Sequence, residues 1–230
     1  SITLKASVTS DTPQTVTWKS SNTAVAIVKD GIVTATGKGT AKITASLPNG
    51  RSAVCTVKVT TKKLPTSGYF YASTAQYTGS AIIPTVTVKD GSNVLRQNID
   101  YRVIVTNNVK IGHANITISG MGNYYGSYSA GFDIIPAKQT IQKLETRYKG
   151  FFVDWAQKGS ATGYEIQYAT NSKFTSAKKV TITNKKTDKT TVSKLSGKKK
   201  YYVRVRSYTT VKGTKYYGAW SASKSVTTKK

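Results

Sequence analysis

Nowhere in this chain do apolar residues recur at i, i+3, i+4 and i+7 for long enough to give a helix a buried face. Short runs instead alternate apolar and polar residues with a period of two, as in "TVTWKSS", "AVAIVKD", "GIVTATG" and "AVCTVKV". A segment of that kind buries one side only as a strand. The residue supply agrees: Thr, Ser, Val, Ile and Tyr dominate, whereas Leu occurs only at positions 4, 47, 64, 95, 144 and 195. β-Branched and aromatic side chains suit a pleated, half-buried surface and are poor helix formers. Between the runs stand turn-forming stretches such as "SDTP", "SSNT", "KDG", "GKGT" and "LPNGR". Asp30-Gly31, Asn49-Gly50 and Asp90-Gly91 supply the positive φ that hairpins need. Short strands with turn signals at regular intervals predict an all-β chain of sandwiches or barrels.

At 230 residues the chain has room for two or three small domains, and its 38% hydrophobic content is low for one deep core. Composition shifts divide it at 1–62, 63–137 and 138–230, with linkers expected near 61–65 and 136–140. The net charge of +26 is not shared evenly: the three segments carry +6, +2 and +18. A single cysteine, Cys55, excludes an internal disulfide and a thiolate metal cluster, and its place in "SAVCTVKV" predicts an apolar strand position. No signal peptide, lipidation motif or apolar run of membrane-spanning length is present.

The first segment resembles the bacterial immunoglobulin-like domain of group 2. The resemblance rests on Trp18 followed by Ser20-Ser21-Asn22, then Val25-Ala26, Val28, Gly31, Val33, Ala35, Gly39, Thr40, Ala41 and Ile43. It implies that Trp18 fills the space between two sheets. That family usually begins with another strand, so the segment is expected to lack its first strand and to be part of a longer polypeptide. The second segment contains "TVTVKDG", "DYRVIVTNN" and "ANITISGMGNY" in that order. This resembles a β repeat of Gram-positive surface proteins and implies a small, immunoglobulin-like β domain. The third segment resembles a fibronectin type III domain over nearly its whole length, through "FFVDWAQ" with Trp155, "GYEIQYAT" with Tyr164, Ile166 and Tyr168, and Leu195 six residues before Tyr201. The resemblance implies a core tryptophan at 155. It also implies a tyrosine corner in which Tyr201 hydrogen-bonds to nearby backbone. The fold class expected is therefore all-β, with three tandem immunoglobulin-like or fibronectin-type β-sandwich domains.

The stretch "KKKYYVRVRSY", Lys198–Tyr208, interleaves basic and aromatic residues as a nucleic-acid-binding surface does. Strand alternation divides it: Tyr201, Val203 and Val205 take the core face, and Tyr202, Arg204, Arg206 and Tyr208 the outer face. Lys198, Lys199 and Lys200 fall in the preceding turn. Three readings remain open for the outer strip: a solvated, edge-protecting face, a contact for an anionic extracellular polymer, or a nucleic-acid contact. Counterion release drives binding to any polyanion; the extracellular modules that the segments resemble favour wall polymer or acidic glycan over nucleic acid. The candidate polyanion contacts are Lys198, Lys199, Lys200, Tyr202, Arg204 and Arg206.

Catalytic chemistry finds little support. Two Glu and seven Asp are scattered, and a glycosidase needs two carboxylates roughly 5–10 Å apart. Asp154 and Glu165 are expected on outer faces beside lysines. His113, the sole histidine, is expected at a loop or strand start; no hydrolase, zinc, EF-hand or phosphate-loop motif accompanies it. "LPTSG" at 64–68 resembles a sortase signal but has Ser67 where Thr is required and no hydrophobic tail, so it reads as a linker. "GNYYGSY" offers Tyr124, Tyr125 and Tyr128 as candidate glycan contacts, or merely as a turn and a strand face.

No enzyme, metal or cofactor is expected. The leading expectation is a non-catalytic stalk or terminal region of a secreted or surface protein of a Gram-positive bacterium, monomeric and extracellular. It would space or retain partner domains at the cell wall through anionic wall polymer. Two alternatives stay open: an adhesin region binding host protein or glycan, and a carbohydrate-binding accessory to an upstream glycosidase or peptidase.

Overall fold

The computed structural model describes residues 1–10 and 12–230; Asp11, in the expected turn "SDTP", lies outside the described residues. Every regular element among the described residues is a strand. The chain divides into two compact units, one of residues 1–70, 86–104 and 117–129 and the other of residues 71–85, 105–116 and 130–230.

The first unit begins with β1 (Ile2–Thr3), β2 (Thr17–Ser20), β3 (Ala26–Lys29), β4 (Ile32–Ala35), β5 (Gly39–Ser46) and β6 (Ser52–Val59). They form two three-stranded sheets of order β1-β4-β3 and β2-β5-β6. The β3–β4 hairpin turns through Asp30 and Gly31, at φ 49° and 78°, the pair of left-handed residues its right-handed twist favours. Val25, Ala26, Val33, Ala41 and Ile43 form the core, and Trp18 packs against it half-buried. A side chain at Gly31 would run into the Leu4 carbonyl and the Trp18 ring. Cys55 departs from the sequence reading. It pairs with buried Ile43 and so points to the core side, yet it is exposed. β6 is an edge strand, and only its distal Val57 and Val59 pack on the core.

After β7 (Lys62–Lys63) and β8 (Tyr69–Phe70) come β9 (Thr74–Gln76), β10 (Thr87–Asp90), β11 (Asn93–Val94), β12 (Tyr101–Thr106), β13 (Gly112–Gly120), β14 (Tyr124–Tyr125) and β15 (Ser127–Ile135). In the first unit β10 lies between β8 and β11, and β14 pairs with β7 in parallel. In the second unit β9 runs parallel to β15, with Asp133 opposite Thr74.

The rest of the second unit contains β16 (Ile141–Arg147), β17 (Gly150–Trp155), β18 (Gly163–Ala169), β19 (Lys178–Ile182), β20 (Lys189–Val192), β21 (Lys200–Val211), β22 (Thr214–Tyr217) and β23 (Lys224–Thr227). A sheet of order β16-β17-β20 faces one of order β19-β18-β21-β22, with β23 also on β21. The inner faces meet at Phe151, Val153, Trp155, Tyr164, Ile166, Val203 and Val205, all fully buried. This is a β-sandwich, the architecture that the fibronectin resemblance implies, with three strands facing five. Trp155 is its core tryptophan, and the Ser196 N–H donates to Tyr201 Oη at 3.3 Å to make the corner.

Candidate functional site

β21 is the centre strand of its sheet, flanked by β18 and by β22 and β23. Its inward residues Tyr201, Val203 and Val205 are buried as expected. The outward row is not a bare charged strip. Antiparallel register sets Arg204 opposite Gln167 and Arg206 opposite Glu165. Arg204 Nε donates to Gln167 Oε1 at 2.7 Å, and an Arg206 Nη donates to Glu165 Oε2 at 2.9 Å. Lys179 Nζ reaches the other Glu165 oxygen at 3.0 Å.

Aromatic rings fill the gaps between these cations. The Arg204 guanidinium lies 4.0 Å from the Phe174 ring centroid and 4.7 Å from that of Trp220. Arg206 lies 4.2 Å from Trp220 and 4.0 Å from Tyr217. The result is an alternating stack of Phe174, Arg204, Trp220, Arg206 and Tyr217. Backbone bonds explain how Trp220 is brought there. Between β22 and β23 the chain leaves regular pairing, yet Gly218 N–H donates to Ser207 and Ser221 N–H to Val205. The buried Ser221 hydroxyl accepts from Val205 N–H at 3.0 Å. The loop is thereby clamped along β21.

Burial, and then the charge of Arg206 beside it, lower the basicity of Arg204. At Glu165 burial pushes the carboxyl up, but the hydrogen bonds and charges of Arg206 and Lys179 outweigh it and hold the group below the usual carboxylate range. Tyr208 corrects the sequence reading, which left it exposed on the outer face: it is 4% exposed. Opposite it stands Gly163, and a Cβ there would lie 2.5 Å from Tyr208 Cζ. The tyrosine lies across the bare glycine and donates to the Ile182 carbonyl at 3.3 Å.

The other candidates on this strand stay open to solvent. Lys198, Lys199 and Lys200 are exposed, and Tyr202 is half-buried with Lys200 Nζ 5.3 Å from its ring centroid. Alternation located the arginines but not their partners: Phe174 and Trp220 stand in loops, and Tyr217 ends the short strand β22. The available signal was "YYGAWSAS", a tryptophan set among small residues just after a hairpin.

In the first unit the three candidate tyrosines have different surroundings. Tyr124 Oη donates to Asp90 Oδ2 at 3.0 Å, and Lys62 Nζ holds the same carboxyl at 2.6 Å. Burial and then Asp90 raise the Tyr124 phenol above its ordinary value, and the two donors lower Asp90. Tyr128 stacks face to face on Tyr69, with centroids 3.9 Å apart and planes at 5°; Tyr69, which the sequence did not single out, donates to the Pro65 carbonyl. Tyr125 alone of the three presents a largely exposed ring.

Asp154 and Glu165 lie on different sheets of the sandwich, on its two outer faces, so they do not form a carboxylate pair. His113 is in β13, its Nδ1 2.8 Å from Asp133 Oδ1. Among the described residues no cluster of three His, Cys, Asp or Glu could hold a metal, and no helix is long and apolar enough to cross a membrane.

No family model matches the chain, and no curated protein matches it. Solved structures similar to it include the FN1–FN3 domains of chicken CNTN1, at 14% identity and a TM-score of 0.38 over 83% of this chain and 78% of that one. A β-1,2-glucanase from Parabacteroides distasonis is similar over 51% of this chain, at 16% identity and a TM-score of 0.34. The matched region spans about a fifth of the glucanase, 18% of its chain.

Proposed function

We propose that this chain is a non-catalytic modular region of a secreted or surface protein of a Gram-positive bacterium. Its three consecutive β modules, 1–62, 63–137 and 138–230, space or retain partner domains at the cell wall, and the last holds anionic wall polymer. One observation supports this best. Of the 22 basic groups in 138–230, only Lys143, Arg147, Lys179 and Arg206 pair with a carboxylate among the described residues. Most of the remaining excess faces solvent, where a polyanion can release its counterions. Retention on purified walls before and after chemical removal of teichoic acid tests the reading. Retention should fall with the polymer; equal retention on stripped walls rules it out.

A further inference from the structure

Two turns of the second unit, Tyr148-Lys149 and Ser193–Lys199, meet the segment Thr228–Lys230 at one end of its sandwich. Backbone bonds lock them together. Lys149 N–H donates to the Lys229 carbonyl at 3.0 Å, Leu195 N–H to Lys149 at 2.8 Å, and Lys198 N–H to Thr228 at 3.0 Å. At their junction the Thr228 side chain, in a residue 3% exposed, donates to the Ser196 carbonyl at 2.6 Å and accepts from Lys199 N–H at 3.1 Å. The platform presents six exposed lysines, Lys149, Lys194, Lys198, Lys199, Lys229 and Lys230, and its turns contain no acidic residue.

A second observation is independent of charge. Lys149, Lys194 and Lys198 sit at φ 41°, 61° and 54°, where glycine or asparagine is the less strained choice. One lysine in the first turn and two in the longest are thus carried where the backbone favours another residue. Strain of that kind collects at functional positions.

We infer that this lysine platform is the polyanion site, and that it takes a phosphodiester-linked polymer. The inference rests on the wall-retention reading above; it keeps Lys198 and Lys199 among the contacts and moves the others from the arginine row to the end of the sandwich. Arginine grips carboxylate and phosphate alike through bidentate bonds, whereas lysine meets either as a point charge, so the choice of phosphodiester follows from the wall-retention reading. All three arginines of this segment are engaged by side chains: Arg147 by Glu145, Arg204 by Gln167 and Arg206 by Glu165. The uncommitted cations are lysines. Tyr148, 69% exposed, is the one ring on these turns, too little stacking surface for successive nucleic-acid bases.

The test measures binding of the whole chain to poly(glycerol phosphate), with polygalacturonate and a single-stranded oligonucleotide as competing probes. The platform variant combines Lys149→Gly, Lys194→Gly, Lys198→Gly and Lys199→Ser. The control removes equal charge at the opposite end through Lys158→Ser, Lys185→Ser, Lys186→Ser and Lys189→Ser. Glycine relieves the positive φ, so the platform variant should melt no lower than the parent. If four ammonium groups release counterions, parent affinity should fall roughly 50-fold between about 50 and 200 mM salt. The platform variant should lose about tenfold or more in affinity at low salt and most of that salt slope, while the control stays within about twofold. Equal losses in both variants overturn the site. Tighter binding of polygalacturonate overturns the phosphodiester assignment; tighter binding of the oligonucleotide, itself a phosphodiester, overturns wall polymer as its source. Platform-variant retention on teichoic-acid-bearing walls equal to the parent's defeats this site alone; parent retention that ignores teichoic acid defeats the wall reading itself.

Discussion

Replacing Trp220 by leucine should destabilise the second unit by removing both faces of one ring from the arginine row. Leucine keeps an apolar cover over β21, so the loss isolates the two guanidinium contacts at 4.7 and 4.2 Å. A cation–π contact contributes about 0.5–1 kcal/mol when exposed and about 2 when desolvated. The Arg206 side chain is 19% exposed, which places its contact toward the upper value. The expected cost is about 1.5–3 kcal/mol. In urea, with a slope of about 1–3 kcal/mol per molar, the midpoint falls by roughly 1 M. Trp155 is fully buried and reports the transition once Trp18 is replaced by phenylalanine in both proteins.

The decisive number is the coupling between Trp220→Leu and Arg204→Leu in a double-mutant cycle. The stacked arrangement requires about 0.5–1.5 kcal/mol of coupling. A value within about 0.3 kcal/mol of zero would show that Trp220 is only an apolar lid and that the alternating order has no energetic content.

At Glu165, a carboxyl held below its ordinary value gives stability that is complete above the unfolded value, about 4.3, and disappears as pH falls through the folded one. Glu165→Gln should therefore lower the urea midpoint at pH 7 and flatten its decline below about pH 4.3; an unchanged acid limb refutes this. Tyr201→Phe leaves the Ser196 N–H without its 3.3 Å partner in the corner and should cost about 1 kcal/mol in the same assay, with no change in the platform's salt slope.

Strand type and facing were legible because period two is a local property. "FFVDWAQ" and "GYEIQYAT" give their inward residues directly, and the core of the second unit uses them. Coverage was not legible. Cys55 takes the side its alternation assigns, but exposure depends on what stands beyond an edge strand, which no local pattern records. Tyr208 fails in the opposite sense: a glycine one strand away makes room for it to lie down. The arginine row fails for a third reason, since its covering tryptophan comes from an irregular loop fixed by two backbone bonds to β21.

These failures share a cause that bears on how the charge is read. A count of +18 treats arginine and lysine alike, and alternation sorts them only by face. In the folded unit the arginines of β21 lie mid-sheet, where flat guanidinium groups stack between rings and meet Gln167 and Glu165. A lysine there would keep the charge but not the planar stack. The platform lysines lie outside β16–β23, where a flexible stem carries the ammonium into water and nothing planar is required. The cations left to a partner are therefore almost wholly lysines, and at the platform their place is set by turn geometry. Lys198 and Lys199 owe their place to buried Thr228, whose carbonyl accepts from Lys198 N–H and whose hydroxyl accepts from Lys199 N–H, not to the strand that follows.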